Sequence, residues 1–183
     1  MPQFLREEKK QYKPVSKVVV VALSALLVAV SLTLAYIGKI YLTFGPIRIT
    51  FENMPILLGG FIFGPFIGGL VGVCSDLLSC VLAANTINPI ITVGAFFIGF
   101  FAGIFKQYVF KDKSVFSIYF SVMIPHIFGS MLIKSVGLRV YYHFPYSLLF
   151  LRIPLYLAIG TLEAYVIYTF LKIKSIQKQL ERM

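Results

Sequence analysis

Residues 64–80 read GPFIGGLVGVCSDLLSC and set one carboxylate, Asp76, inside a glycine-rich, otherwise apolar run. No charge occurs from Asn53 to Ser75 or from Leu77 to Phe105. Charge-free stretches of this length are those of membrane-spanning helices, in which an ionised side chain is costly unless it faces a cavity or a partner. Asp76 is therefore read as facing one of the two.

The rest of the chain has the same character. Its 183 residues are 58% hydrophobic and 13% charged, with a mean hydropathy of +0.87. A soluble domain is closer to half apolar, with about a quarter of its residues charged. The composition gives an all-α membrane protein with room for one bundle of about six helices. Val18 to Gly38 is free of charge for 21 residues, longer than the apolar region of a signal peptide, and is read as a retained span.

Helices are expected over about 17–38, 51–63, 66–83, 89–107, 115–141 and 147–171. Gly64-Pro65, AANTINP (83–89), KQYVFKDKS (106–114) and YYHFPYS (141–147) supply turns. Asn88 is expected as an N-cap with Pro89 as the first helical residue. Pro125 is expected to break the fifth helix. Glycines four apart, at 60, 64, 68 and 72 and again at 99 and 103, fit close helix packing in lipid.

The net charge of +10 comes from 17 lysines and arginines against 7 acids. Twelve of the seventeen lie in the first 17 residues, between Lys106 and Lys113, or from Lys172 to Arg182. Six spans bring these three clusters to one side, which the excess of basic residues marks as cytoplasmic. The expected organisation is a cytoplasmic segment over 1–16, a six-helix domain over 17–171 and a cytoplasmic tail over 172–183. Charge so divided is topological and not a nucleic-acid footprint.

Lys39, Arg48, Lys134, Arg139 and Arg152 remain, against Glu52, Asp76 and Glu163. Arg48, Arg139 and Arg152 fall near the outer helix ends, where they either snorkel to the interface or converge on an anion. Asp76 either pairs with a residue such as Lys134 or accepts hydrogen bonds from a ligand's N–H groups. Phe51 belongs to an aromatic set near the outer ends that forms an interface belt or stacks on a flat ring. His126 and Glu163 read either as buried packing polars or as the acid–base pair of an intramembrane enzyme. Cys74 and Cys80, six residues apart, lie about 9 Å apart along a helix and cannot bridge. No metal-ligand spacing, catalytic motif or nucleotide-binding loop is present, and no cofactor is expected. A transporter built this way draws its energy from another subunit; a purely structural membrane subunit is the remaining alternative.

The stretch RITFENMPILLGGFIFGPFIGGLVGVCSDLL, residues 48–78, resembles the signature region of the substrate-binding S components of energy-coupling factor (ECF) vitamin transporters, most closely the folate-specific member. The resemblance rests on Arg48, Ile49, Phe51, Pro55, Leu58, Gly60, Phe63, Gly64, Pro65, Gly68, Gly72 and Asp76 to Leu78. It is carried further by Arg152 and Pro154. Glu52 and Asn53 stand where that family more often has small or apolar residues, and AANTINP departs from its usual loop. The resemblance implies a bacterial plasma-membrane protein that captures a vitamin at the outer face. It implies docking on a transmembrane coupling subunit driven by two cytoplasmic ATPase subunits, through a small-residue stripe of Ala22, Ala25 and Ala29 on the first helix. Folate would place its carboxylates on Arg48, Arg139 and Arg152 and its pterin on Asp76, with Lys134, Asn85 and Asn88 adding polar contacts and Phe51 stacking. Riboflavin, pantothenate and biotin are the alternative ligands.

Overall fold

The computed structural model describes residues 16–44, 47–110, 112 and 114–173. The expectations for the N-terminal segment up to 15, for Lys111 and Lys113, and for the tail from 174 lie outside the described residues. The helices are α1 (Lys17–Tyr41), α2 (Asn53–Phe63), α3 (Pro65–Leu82), α4 (Pro89–Val109), α5 (Val115–Tyr142) and α6 (Tyr146–Lys172). A two-residue antiparallel ribbon, β1 (Thr43–Phe44) with β2 (Ile47–Arg48), follows α1. The chain runs up and down. Lys17, Lys106 and Lys172 therefore share one end, here the basic end, and the loops after α1, α3 and α5 share the other.

All six expected helices form, but only five are long and apolar enough to cross a membrane. The sixth, α2, has 11 residues and rises about 16 Å, roughly half a hydrocarbon core. The deficit is made up by the preceding loop, which folds back into the bundle instead of lying on its surface. Ser31 Oγ donates to Glu52 O at 2.7 Å, and Arg48 Nη2 donates to Ala35 O at 3.2 Å. Ser31 lies ten residues before the end of α1, about 15 Å below it. The fold thus starts α2 near mid-depth.

Close backbone approach holds α2, α3 and α4 together. A Cβ on Gly60 would run into Gly99 O, one on Gly68 would lie 2.5 Å from Gly60 Cα, and one on Gly72 would run into Ala95 O. These buried positions are glycine because no larger residue fits. Gly64, at φ +93°, is the turn between α2 and α3, a conformation that costs glycine nothing. Around this knot Ile56, Leu57, Ile98, Ile118, Val122 and Ile167 form the apolar core.

Asn88 caps α4 as expected, its Oδ1 accepting from the amides of Ile90 and Ile91. Ser114 caps α5 in the same way, accepting from Ser117 N. Pro125 does not end α5. The helix widens to π geometry over His126–Ile133 and then resumes. Proline lacks the N–H that the preceding turn would bond and crowds the carbonyl four residues back, yet that turn stays α-helical and the π segment begins only after Pro125.

Candidate functional site

Because α2 begins at mid-depth, the space above it is left open. A cavity of about 390 Å³ fills it, within the size range of small-molecule sites. Ser31, Ala35, Arg48, Thr50, Glu52 and Ile56 line it from α1, the inserted loop and α2. Ser75, Asp76, Ser79 and Cys80 come from α3, Ile91 and Ala95 from α4, and Lys134, Leu138 and Tyr142 from α5. Leu148, Leu151, Arg152, Leu155 and Tyr156 of α6 close the far side, and Asn85, Thr86 and Phe144 lie in the loops at its rim.

Five of these residues carry charge. Asp76 Oδ2 accepts from Thr92 Oγ1 at 2.6 Å, which fixes the carboxylate's rotamer and leaves its second oxygen for another donor. Arg48 Nη2 donates to Glu52 Oε2 at 2.8 Å. Lys134, only 6% exposed, donates to Asn53 Oδ1 at 3.5 Å and lies 3.9 Å from Glu52 Oε1. Arg152 Nη2 donates to Ser130 O at 3.2 Å and to Tyr156 Oη at 3.4 Å, with the guanidinium over the Tyr156 ring at 5.1 Å. Arg152 is thus oriented without a carboxylate partner among the described residues.

Arg48 Nε, Ser75 Oγ and Arg152 Nε are buried and have no hydrogen-bond partner among the described residues. All three belong to lining residues. Buried donors are rarely left unpaired, because each costs about 1–3 kcal/mol. Side-chain atoms of Ser24, Asn53, Ser121, Ser135 and Glu163, away from the lining, are buried in the same way, so it is the five charged lining residues and not these donors that mark the cavity as polar.

Of the residues expected at a site, Arg48, Asp76, Asn85, Asn88, Lys134 and Arg152 meet in this cavity. Asn88 has both ends committed, since its Nδ2 also donates to Gly137 O at 3.0 Å. Phe51 is half-buried outside the lining. Arg139 also lies outside it, stacking on Tyr146 at 4.4 Å and donating to His143 O and Phe144 O at the end of α5. Charge alone grouped Arg139 with Arg152; helical position separates them. Asp76 does not pair with Lys134, because Thr92 and Glu52 are the nearer partners.

Sequence reasoning missed Glu52, Thr92 and Tyr156 as site residues. One signal was present on α3: Ser75 and Ser79, and Asp76 and Cys80, are pairs four residues apart, and all four line the cavity.

His126 and Glu163 meet as expected, with Nε2 and Oε2 2.6 Å apart and both residues 0% exposed. Sealed between α5 and α6, they offer no approach to a substrate. Ala22, Ala25 and Ala29 are all exposed on α1, while Val28, Ser31, Ala35 and Gly38 form its buried seam.

The family model for the ECF transporter substrate-specific component matches residues 19–176. No curated protein sequence matches significantly. Among solved structures, one described as FolT bound with folic acid is similar at a TM-score of 0.65 and 20% identity, covering 83% of this chain and 93% of that one. The S component for biotin from an ECF-type ABC transporter is similar at a TM-score of 0.63 and 19% identity, covering 85% and 92%. The enzyme alternative is thereby overturned, since members of this family are substrate-binding transporter subunits and not enzymes. The chain belongs to the family of ECF transporter substrate-specific components, integral membrane proteins that bind a vitamin and associate with an energising module.

Proposed function

We propose that this S component captures folate from outside the cell and delivers it through a transmembrane coupling subunit driven by two ATPase subunits. The observation that carries the reading is the pairing, in one cavity, of Asp76 on α3 with Arg152 on α6. Helices α4 and α5 lie between these two walls, α3 packing on α4, α4 on α5 and α5 on α6. An ionised carboxylate accepts the amino and ring N–H groups of a pterin-like head. A guanidinium grips a carboxylate at the other end of the ligand, often in bidentate fashion. Asn85 and Tyr142 at the rim and Tyr156 below Arg152 add polar and aromatic contacts between these poles. The basic end faces the cytoplasm, following the positive-inside rule. The stripe of Ala22, Ala25 and Ala29 is the docking face.

The test is a calorimetric titration of the purified chain with folate, with biotin, riboflavin and pantothenate in parallel. Tight folate binding with the others weak is the expected result. Tight binding of another vitamin would reassign the ligand and keep the transporter class.

A further inference from the structure

The cavity floor already contains a carboxylate, and it belongs to the chain. Glu52 sits between two cations from separate parts of the fold, Arg48 of β2 at 2.8 Å and Lys134 of α5 at 3.9 Å. Cations on either side of one carboxylate are how a protein captures a carboxylate ligand.

We propose that Arg48 and Lys134 form a carboxylate slot that Glu52 occupies, and that Glu52 is thereby a specificity-determining residue directing a ligand's anionic group to Arg152. The proposal rests on the cavity being the substrate site. Charge arithmetic supports it. Arg48 and Lys134 supply two positive charges and Glu52 and Asp76 two negative ones, so the floor sums to zero while Arg152 retains its charge. Without Glu52 the floor would carry +1 and compete with Arg152 for any anion. A neutral floor with fixed acceptors suits an uncharged head rich in N–H groups. One anchor of the loop is independent of the side chain, since Glu52 O accepts from Ser31 Oγ, whereas Thr50 Oγ1 and Arg48 Nη2 both donate to the carboxylate itself.

Chemical rescue tests the slot directly. Acetate, titrated at constant ionic strength into purified Glu52→Ala, is expected to raise its Tm by several degrees and to leave the wild type unmoved, because a ligand stabilises only a protein that can bind it. No response, or the same response in both, overturns the slot. If Glu52→Ala does not fold, Glu52→Gln is compared with Glu52→Gln/Lys134→Met, whose floor again sums to zero. The double variant is expected to be the more stable, and a Tm no higher than that of Glu52→Gln overturns the proposal. Direction of the anion is read with folate. Arg152→Ala should cost more than about tenfold in affinity in the wild type and about threefold or less in Glu52→Ala, where the anion finds the opened slot. Equal losses overturn the directing role. A wild type that ignores folate refutes the ligand assignment, while the acetate result still decides the slot.

Discussion

Asp76 and Arg152 are the two residues on which the proposed recognition rests, and each has a partner that fixes its rotamer without satisfying it. Thr92 holds one oxygen of Asp76, so Asp76→Asn should preserve shape while replacing one acceptor with a donor. Its folate affinity is expected to fall at least about tenfold, or about 1.4 kcal/mol; equal isotherms for the two proteins would reduce Asp76 to a structural partner of Thr92. Arg152→Ala is expected to lose about 1.5–3 kcal/mol of binding, the range for a charged hydrogen bond. Arg139→Ala should bind normally, since that guanidinium serves the end of α5 and the Tyr146 ring. A calorimetric series on the three variants separates these outcomes. Asp76 was legible in the sequence because a lone carboxylate in an apolar run must have a reason. Glu52 was not, because its place beside both Arg48 and Lys134 depends on a loop that turns inward, and no spacing rule reports such a turn.

At the scale of elements, the helices were legible to within three residues at each end, since proline, glycine and charge punctuate them. The depth of α2 was not. An apolar run of 11 residues is too short to span but does not say at which depth it sits, and the hydrogen bonds from Ser31 and Arg48 decide the matter. The glycine knot yields a contrast between neighbours. Gly60→Leu drives a side chain into the backbone of α4 and is expected to exceed the ~1–3 kcal/mol typical of overpacking. Gly59→Ala meets nothing nearer than Val71 Cγ2 at 3.4 Å and should be neutral or gain slightly from helix propensity. Thermal melts in one detergent suffice, and comparable losses at both sites would refute the packing account. On α1, the exposed alanines leave a flat strip. Ala25→Trp with Ala29→Trp should leave folate affinity intact and abolish ATP-driven uptake in vesicles, because a bulky side chain keeps helices apart in lipid. Normal uptake would remove α1 from the docking face.

For the whole molecule, the proposal that the basic end faces the cytoplasm is tested by impermeant labelling. With Cys74 and Cys80, both free, replaced by serine, a cysteine at Asn85 in the exposed rim should react with a membrane-impermeant maleimide on intact cells. A cysteine at Lys17 should react only after lysis. The reverse pattern would invert the assigned topology.

The short α2 also has an electrical consequence. A cavity open to mid-depth lets the potential of the outer solution reach its floor, so the transmembrane voltage drops mainly across the closed half beneath. That half is thin: from Ile56 to Phe63 the helix rises only about 10 Å. A charge resting on the floor has crossed much of the bilayer's thickness and almost none of its field. Its passage over those last ångströms then takes place across nearly the full voltage, about 2.3 kcal/mol per charge for each 100 mV, opposed by an inside-negative potential if the charge is an anion. For the proposed uptake of folate, an anion, the electrical work is thus concentrated in the crossing of the closed half.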